Sequence, residues 1–201
     1  FAMAVSEVPS GLVLKSREEI IRGCAAHSAT TAPEFPEFHA LVGTDIDGQK
    51  VYYTDFSEQV VLVVNVASKC STAAENYEGL AELSARYGSK LHMLLFPSND
   101  FGSQEFAQKE DIKAFVAEFG LQSFTLMQPT FINDSQVFKS LAWRTKTGPV
   151  AMPEMVAWNF DGKFLVSRDD FLNPYGRPRV LRFHRRSLPQ HLVPDIDALI
   201  D

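Results

Sequence analysis

The feature that most constrains this chain is an uncharged, valine-rich run at Val60–Val66, followed shortly by a lone thiol, Cys70. Seven uncharged residues dominated by β-branched Val predict a strand buried on both faces, as in the middle of a parallel or mixed sheet. The next stretch, Ser71–Leu83, carries helix formers at helical spacing, which predicts Cys70 at a strand-to-helix turn. Because the positive end of a helix favours the thiolate form, Cys70 is a candidate reactive cysteine, and the alternative is a buried, inert thiol.

The composition limits the classes of function. A chain of 201 residues with 45% hydrophobic content and no long apolar span predicts one soluble globular domain without a membrane span. The net charge of −6 and the lack of a Lys/Arg block argue against nucleic acid as a partner. We interpret one local basic cluster as a solvated strand-and-loop face or a small anion site; it consists of Arg177, Arg179, Arg182, Arg185 and Arg186.

The cysteines and histidines indicate a reducing compartment and no metal site. Cys24 and Cys70 lie in different kinds of segment, which disfavours a disulfide-stapled secreted domain. The histidines lack the short paired spacings of zinc sites. The first residue, Phe1, suggests a processed N-terminus. We therefore expect an intracellular protein, in the cytoplasm or in an organelle (plastid or mitochondrion).

The chain is predicted to divide into an N-terminal extension, residues 1–37, and one α/β domain, residues 38–201. In the extension, the capping box at Ser16–Glu19 predicts a short helix that runs toward Cys24. We interpret Cys24 as a spectator thiol on this peripheral helix.

The domain is predicted to contain a central mixed sheet. A hairpin around an Asp-Gly turn is predicted at Phe38–Tyr53. A second buried strand, Lys90–Pro97, should lie parallel to the first, so that Cys70 and the loop Ser98–Glu105 both follow carboxyl ends of strands, where sites form in such sheets. Further helices are predicted at 109–119, 136–143 and 194–201, and further strands at 157–166 and 179–183.

These elements together predict a thioredoxin-like fold, with a central mixed β-sheet flanked by helices. Its strand–Cys–helix unit lacks a Cys-x-x-Cys motif at the turn. That absence disfavours a disulfide exchanger and favours a peroxidase with a single attacking thiol.

Three sequence blocks resemble the signature blocks of the glutathione peroxidase family, in its cysteine-type form. They follow the family's order over roughly residues 38–201, and they are Asn65–Cys70 with Asn76–Tyr77, Phe96–Glu105, and Trp158–Phe160 with Lys163–Val166. The resemblance implies a catalytic tetrad of Cys70, Gln104, Trp158 and Asn159. It also implies reduction of hydrogen peroxide or of organic and lipid hydroperoxides, no bound cofactor, and an external thiol reductant, glutathione or thioredoxin. The indole N–H and the two amides would donate to the sulfur and to the developing oxyanion.

Several positions depart from the family pattern. Ser71 and Ala73 replace the usual Gly and Thr, and Ser98 and Asp100 replace a Cys and a Gln. The position that best matches the resolving cysteine of the thioredoxin-dependent branch is Ala117. A sulfenic acid on Cys70 would therefore need an outside thiol, or Cys24 if the extension folds back onto the domain.

Two further departures concern the surface of the domain. The segment between Asn133 and Trp158 is short compared with tetrameric family members, which predicts a monomer. One extra residue, at Asp161–Gly162, separates Trp158 from Lys163. These departures leave open an alternative function: a peroxidase-derived interaction subunit of a larger assembly, with weak or no turnover.

Overall fold

The computed structural model describes residues 36–145, 155–168 and 178–200. In these parts of the chain the main feature is a mixed sheet of five strands: β3 (Val60–Val66), β4 (Leu91–Pro97), β5 (Phe124–Leu126), β6 (Lys163–Val166) and β7 (Val180–Phe183). Their order across the sheet is β5-β4-β3-β6-β7. β4 and β5 run parallel to the central β3, whereas β6 runs antiparallel to it, so the predicted mixed sheet is confirmed.

The central strand β3 is buried along its whole length, as its valine-rich sequence predicted. Because successive side chains point to opposite faces, the residues of the strand alternate between two cores. Leu62 and Val64 face one hydrophobic cluster, whereas Val61 and Val63 face the other. The sheet is therefore covered on both faces, which explains why the run is apolar without alternation.

Helices cover both faces of the sheet. The first cluster is closed by α1 (Ala73–Tyr87), α2 (Lys109–Ala117) and α4 (Val193–Ile200), which bury side chains such as Tyr77, Ile112 and Ile196 against it. On the opposite face, α3 (Gln136–Thr145) buries Phe138 and Leu141. Each helix thus contributes one apolar face to the core, in agreement with its amphipathic sequence.

The register of the strands brings three loops to one edge of the sheet. Val66 pairs with Pro97, so the parallel strands β3 and β4 end side by side. Lys163, the first residue of β6, pairs with Val64 of the antiparallel β3. The loops after β3, after β4 and before β6 therefore meet beyond the carboxyl ends of the parallel strands, the expected place of a site.

Two local predictions were wrong, and one strand was missed. Within the predicted hairpin, β1 (Val42–Thr44) pairs antiparallel with β2 (Lys50–Tyr52), but Phe38–Ala40 form a 3-10 helix. The predicted strand 157–166 begins only at Lys163, because Phe160 has a positive φ of 57° that no strand accommodates. The short strand β5 was not predicted at all.

Some predictions lie outside the described residues. They include the helix that leads to Cys24, Cys24 itself and Arg177. The proposed boundary between an extension and a domain at residue 37 stays a prediction. Within the described residues, no helix has the length and apolar character needed to cross a bilayer.

Candidate active site

The thiol of Cys70 lies in the turn that joins β3 to α1. Its backbone N–H donates to Ala67 O at 3.3 Å, and its carbonyl accepts the N–H of Ala73, the first residue of α1, at 2.9 Å. The sulfur is partly exposed and lies 3.4 Å from the Thr72 hydroxyl. Because the first N–H groups of a helix lack partners inside it, this position offers positive partial charge to a thiolate.

The loop after β4 is tied directly to the cysteine turn. Lys69 N donates to Gln104 O at 2.8 Å, and Ser68 N lies 3.2 Å from both carboxylate oxygens of Glu105. The side chain of Asn99 accepts Glu105 N at 2.8 Å, which closes the loop on itself. The backbone beside Cys70 and the backbone of Gln104 are therefore held together by hydrogen bonds.

Glu105 places a buried carboxyl group at this junction. It is 2% exposed, and burial raises its pKa, although the N–H groups of Ser68 and Phe106 and the charge of Lys69 oppose that shift. Its contacts go to backbone N–H groups of both loops. We assign Glu105 to holding the two loops together.

The third loop forms a tight turn at Trp158–Gly162. Asp161 N donates to Trp158 O at 3.3 Å, which closes the turn. The ammonium of buried Lys163, the first residue of β6, donates to Phe160 O. Burial lowers the pKa of Lys163 to about 8, and the nearby charge of Asp161 opposes the shift.

Asn159 points its amide at the Gln104 loop. Its Nδ2 donates to Gln104 Oε1 at 2.8 Å and to Phe101 O at 3.1 Å. Since an amide nitrogen has two N–H donors, both are already engaged. In this arrangement Asn159 Nδ2 therefore has no N–H group left for the sulfur, and it holds Gln104 by its Oε1 atom.

The Trp158 indole lies on the surface of the site, 54% exposed. The Arg185 guanidinium stacks over it, with Cζ 4.4 Å from the ring centroid. Within the described residues, the structure records no hydrogen bond from the indole N–H or the Gln104 Nε2 group to the Cys70 sulfur. Both groups remain available to a molecule that enters the pocket.

All four predicted site residues line one open pocket of about 850 Å³. Its lining includes the apolar residues Phe101 and Leu188. It also includes four charged residues, Glu75, Asp100, Arg185 and Arg186. No group of three or more His, Cys, Asp or Glu side chains in the described ranges is arranged to hold a metal ion.

The basic cluster only partly matches its predicted role as a solvated face. Arg182 is largely buried: it donates to Met155 O at 3.2 Å, stacks over Phe164 and lies 4.0 Å from the carboxylate of Asp161. Asp161 also accepts the backbone N–H of Arg185 at 3.2 Å. The buried carboxylate of Asp161, a residue of this turn, therefore contacts two members of the cluster. The Asp161–Gly162 sequence is typical of a turn and did not indicate these contacts.

Comparisons with known proteins identify the family of this chain. The glutathione peroxidase family model matches residues 38–142. The glutathione peroxidase-like peroxiredoxin GPX5 of Chlamydomonas reinhardtii is 36% identical over 171 residues, 83% of this chain and 98% of the relative. The chloroplastic phospholipid hydroperoxide glutathione peroxidase 1 of Arabidopsis thaliana is 29% identical over 81% of this chain and 66% of its own length.

A solved structure shows the same fold. The crystal structure of Trgpx in its apo form superposes with a TM-score of 0.58 and 25% identity, and the match covers 82% of this chain and 95% of that one. The predicted thioredoxin-like fold is thus confirmed. The family match over more than half of the chain and the relative at 36% identity lead to one conclusion: this chain belongs to the glutathione peroxidase family.

Proposed function

We propose that this thiol-dependent peroxidase reduces hydroperoxides through Cys70 as its single peroxidatic residue, with Gln104 and Trp158 as donors and Asn159 as the residue that orients Gln104. The observation that carries the proposal is the shared pocket, which is lined by the partly exposed Cys70 in the turn before α1 and by Gln104 and Trp158, whose side-chain N–H groups make no hydrogen bond among the described residues. The name of one relative includes phospholipid hydroperoxide, so lipid hydroperoxides belong to the proposed substrates beside hydrogen peroxide.

The first step transfers one oxygen atom to sulfur. The Cys70 thiolate attacks one oxygen of the O–O bond with an electron pair, the bond breaks, and the other oxygen leaves as alkoxide or hydroxide. The sulfur becomes a sulfenic acid, and the leaving oxygen takes up a proton. The leaving oxygen carries negative charge until then, which the Gln104 amide and the Trp158 indole would stabilise as neutral donors.

The second half of the cycle needs an external thiol. A thiol attacks the sulfenic acid and releases water, which forms a mixed disulfide, and a second thiol then releases Cys70 as thiolate. Among the described residues Cys70 is the free cysteine, and the α2 residue Ala117 offers no sulfur. We therefore propose glutathione or a thioredoxin-type protein as the reductant. We also propose a monomeric enzyme, because the segment between Asn133 and Trp158 is short compared with tetrameric family members.

We propose an organellar or cytoplasmic location for the protein. Support comes from the chloroplastic relative already described. Fractionation of cells that express the protein from its natural gene would test the location, and recovery of the protein outside the cell would overturn it.

The test of the reaction is a single-turnover experiment. Reduced protein is mixed with stoichiometric hydrogen peroxide, and dimedone adducts on each cysteine are mapped by mass spectrometry while the rate is followed against time. We expect rapid labelling of Cys70, complete loss in Cys70→Ser, and an unchanged rate in the matched control Cys24→Ser.

Turnover coupled to NADPH then identifies the reductant. Glutathione with its reductase and a thioredoxin system are compared at equal peroxide. A sluggish Cys70 and no turnover with either reductant would overturn the peroxidase proposal and favour the alternative of an interaction subunit.

A further inference from the structure

We propose that Asn65 is a positioning residue of the peroxidase reaction, which holds the turn at Trp158–Gly162 in the conformation that presents Trp158 and Asn159 to the pocket of Cys70. This inference rests on the proposed function and adds a residue that touches neither the peroxide nor the sulfur.

Asn65 is the polar exception in an apolar strand. It occupies the second-to-last position of β3, where its neighbours in the strand are valines, and it is 0% exposed. Burying an amide in an apolar core is unfavourable unless its donors and acceptors are hydrogen-bonded. An aliphatic side chain would suit the core better, so the contacts of the amide indicate what it does.

Both ends of the Asn65 amide are used by the turn. Nδ2 donates to Trp158 O at 3.0 Å, and Oδ1 accepts the N–H of Gly162 at 2.7 Å. The backbone of Asn65 adds a contact, because its carbonyl accepts Phe160 N at 3.1 Å. One residue therefore fixes the first, third and fifth positions of the turn.

The turn needs such external contacts because its conformation is unfavourable by itself. Phe160 adopts a φ of 57°, in the left-handed region that L-residues with large side chains rarely occupy. A Cβ atom at Gly162 would lie 3.0 Å from Asn65 Oδ1, so the amide and the turn pack as closely as a glycine permits. Strained residues of this kind persist when their surroundings hold them in place.

The contact is placed where it controls the site. Nδ2 binds the carbonyl of Trp158, the residue whose indole lines the pocket, and the next residue is Asn159, which orients Gln104. A shift of this turn would move the indole and the Asn159 amide together. Misplacement of catalytic groups by about 1 Å costs roughly 100-fold in rate in other enzymes.

The chain offers a matched control in Asn133. Its Nδ2 donates to Val156 O at 2.8 Å and its Oδ1 accepts Val156 N at 3.0 Å. This partly buried amide thus makes the same kind of paired contact to the chain just before the turn, and neither of these bonds reaches Trp158–Gly162.

The test compares Asn65→Asp with Asn133→Asp in the single-turnover reaction with hydrogen peroxide. Asn65→Asp keeps the size of the side chain and the acceptor for Gly162, but it sets a carboxylate oxygen against Trp158 O in place of a donor. We expect the second-order rate of Cys70 to fall about 10- to 100-fold in Asn65→Asp. Both substitutions should lower the free energy of unfolding, but Asn133→Asp should keep a rate close to that of the unchanged protein.

A pH series separates positioning from general destabilisation. At low pH the introduced carboxyl becomes protonated and can again donate to Trp158 O. The ratio of the Asn65→Asp rate to the rate of the unchanged protein should therefore rise as the pH falls. Taking the ratio removes the pH effects that both proteins share.

The outcomes distinguish the two proposals. If the unchanged protein does not react with peroxide, the proposed function fails. If it reacts but Asn65→Asp keeps its rate even at the alkaline end of the pH series, or if Asn65→Asp and Asn133→Asp lose rate there in equal measure, the role of Asn65 is wrong and the function stands. Should Asn65→Asp fail to fold, Asn65→Ser against Asn133→Ser replaces it, because a hydroxyl cannot span both contacts.

Discussion

Lys163 is a buried base directly behind the active-site turn, and its removal should change how stability depends on pH. The side chain is 0% exposed at the start of β6, and burial lowers its pKa from 10.5 to about 8. Lys163→Met replaces the ammonium by an apolar group of similar length. In that variant the Asp161 carboxylate still accepts hydrogen bonds from the backbone N–H groups of Ala157 and Arg185.

The sign and size of the effect follow from the two pKa values. Between pH 8 and 10.5 the unfolded chain binds the lysine proton more strongly than the folded chain, so stability rises with pH in that window. Below pH 8 the full cost of burying the charge applies, and the shift corresponds to about 3 kcal/mol. About 2 kcal/mol of that cost should disappear between about pH 7.5 and 9.5.

The assay is urea unfolding of both proteins across this pH range, with the free energy of unfolding extrapolated to water. The difference between the proteins isolates Lys163, since every other titrating group is common to both. We expect the free energy of unfolding of the unchanged protein to rise relative to that of Lys163→Met as the pH rises. Two curves that run parallel across this range would refute the reasoning about the buried ammonium.

Two further predictions concern the turn and its partner loop. Gln104→Glu keeps the acceptor for Asn159, but it removes the Nε2 donors and adds a negative charge beside the thiolate. The rate of Cys70 with peroxide should therefore fall on the order of 100- to 1,000-fold in stopped-flow measurements, and an unchanged rate would show that this amide does not act as a donor. Gly162→Ala would set a Cβ 2.8 Å from a Phe138 ring carbon and should cost about 1–3 kcal/mol in urea unfolding, whereas an unaltered midpoint would contradict the tight packing.

The centre of the fold could be predicted because its signals are local. The apolar run of β3 and the apolar strand β4 each indicate their own burial, and a helix between them favours parallel pairing. The turn that holds Cys70 follows from the same pattern. The loops at the carboxyl edge were therefore expected to meet, and the pocket contains all four predicted residues.

The sequence by itself determined the buried strands and the position of the thiol, because hydrophobic runs and turn residues act over short distances. The residues expected around the thiol came instead from the resemblance to glutathione peroxidases. The tertiary structure decided the shape of the Trp158–Gly162 turn, the engagement of both Asn159 donors by the Gln104 loop, and the burial of Arg182 beside Asp161. The contact from Asn65 to Trp158 O joins residues 93 positions apart. Such hydrogen bonds exist only after the sheet has brought distant segments together, so no local pattern announces them.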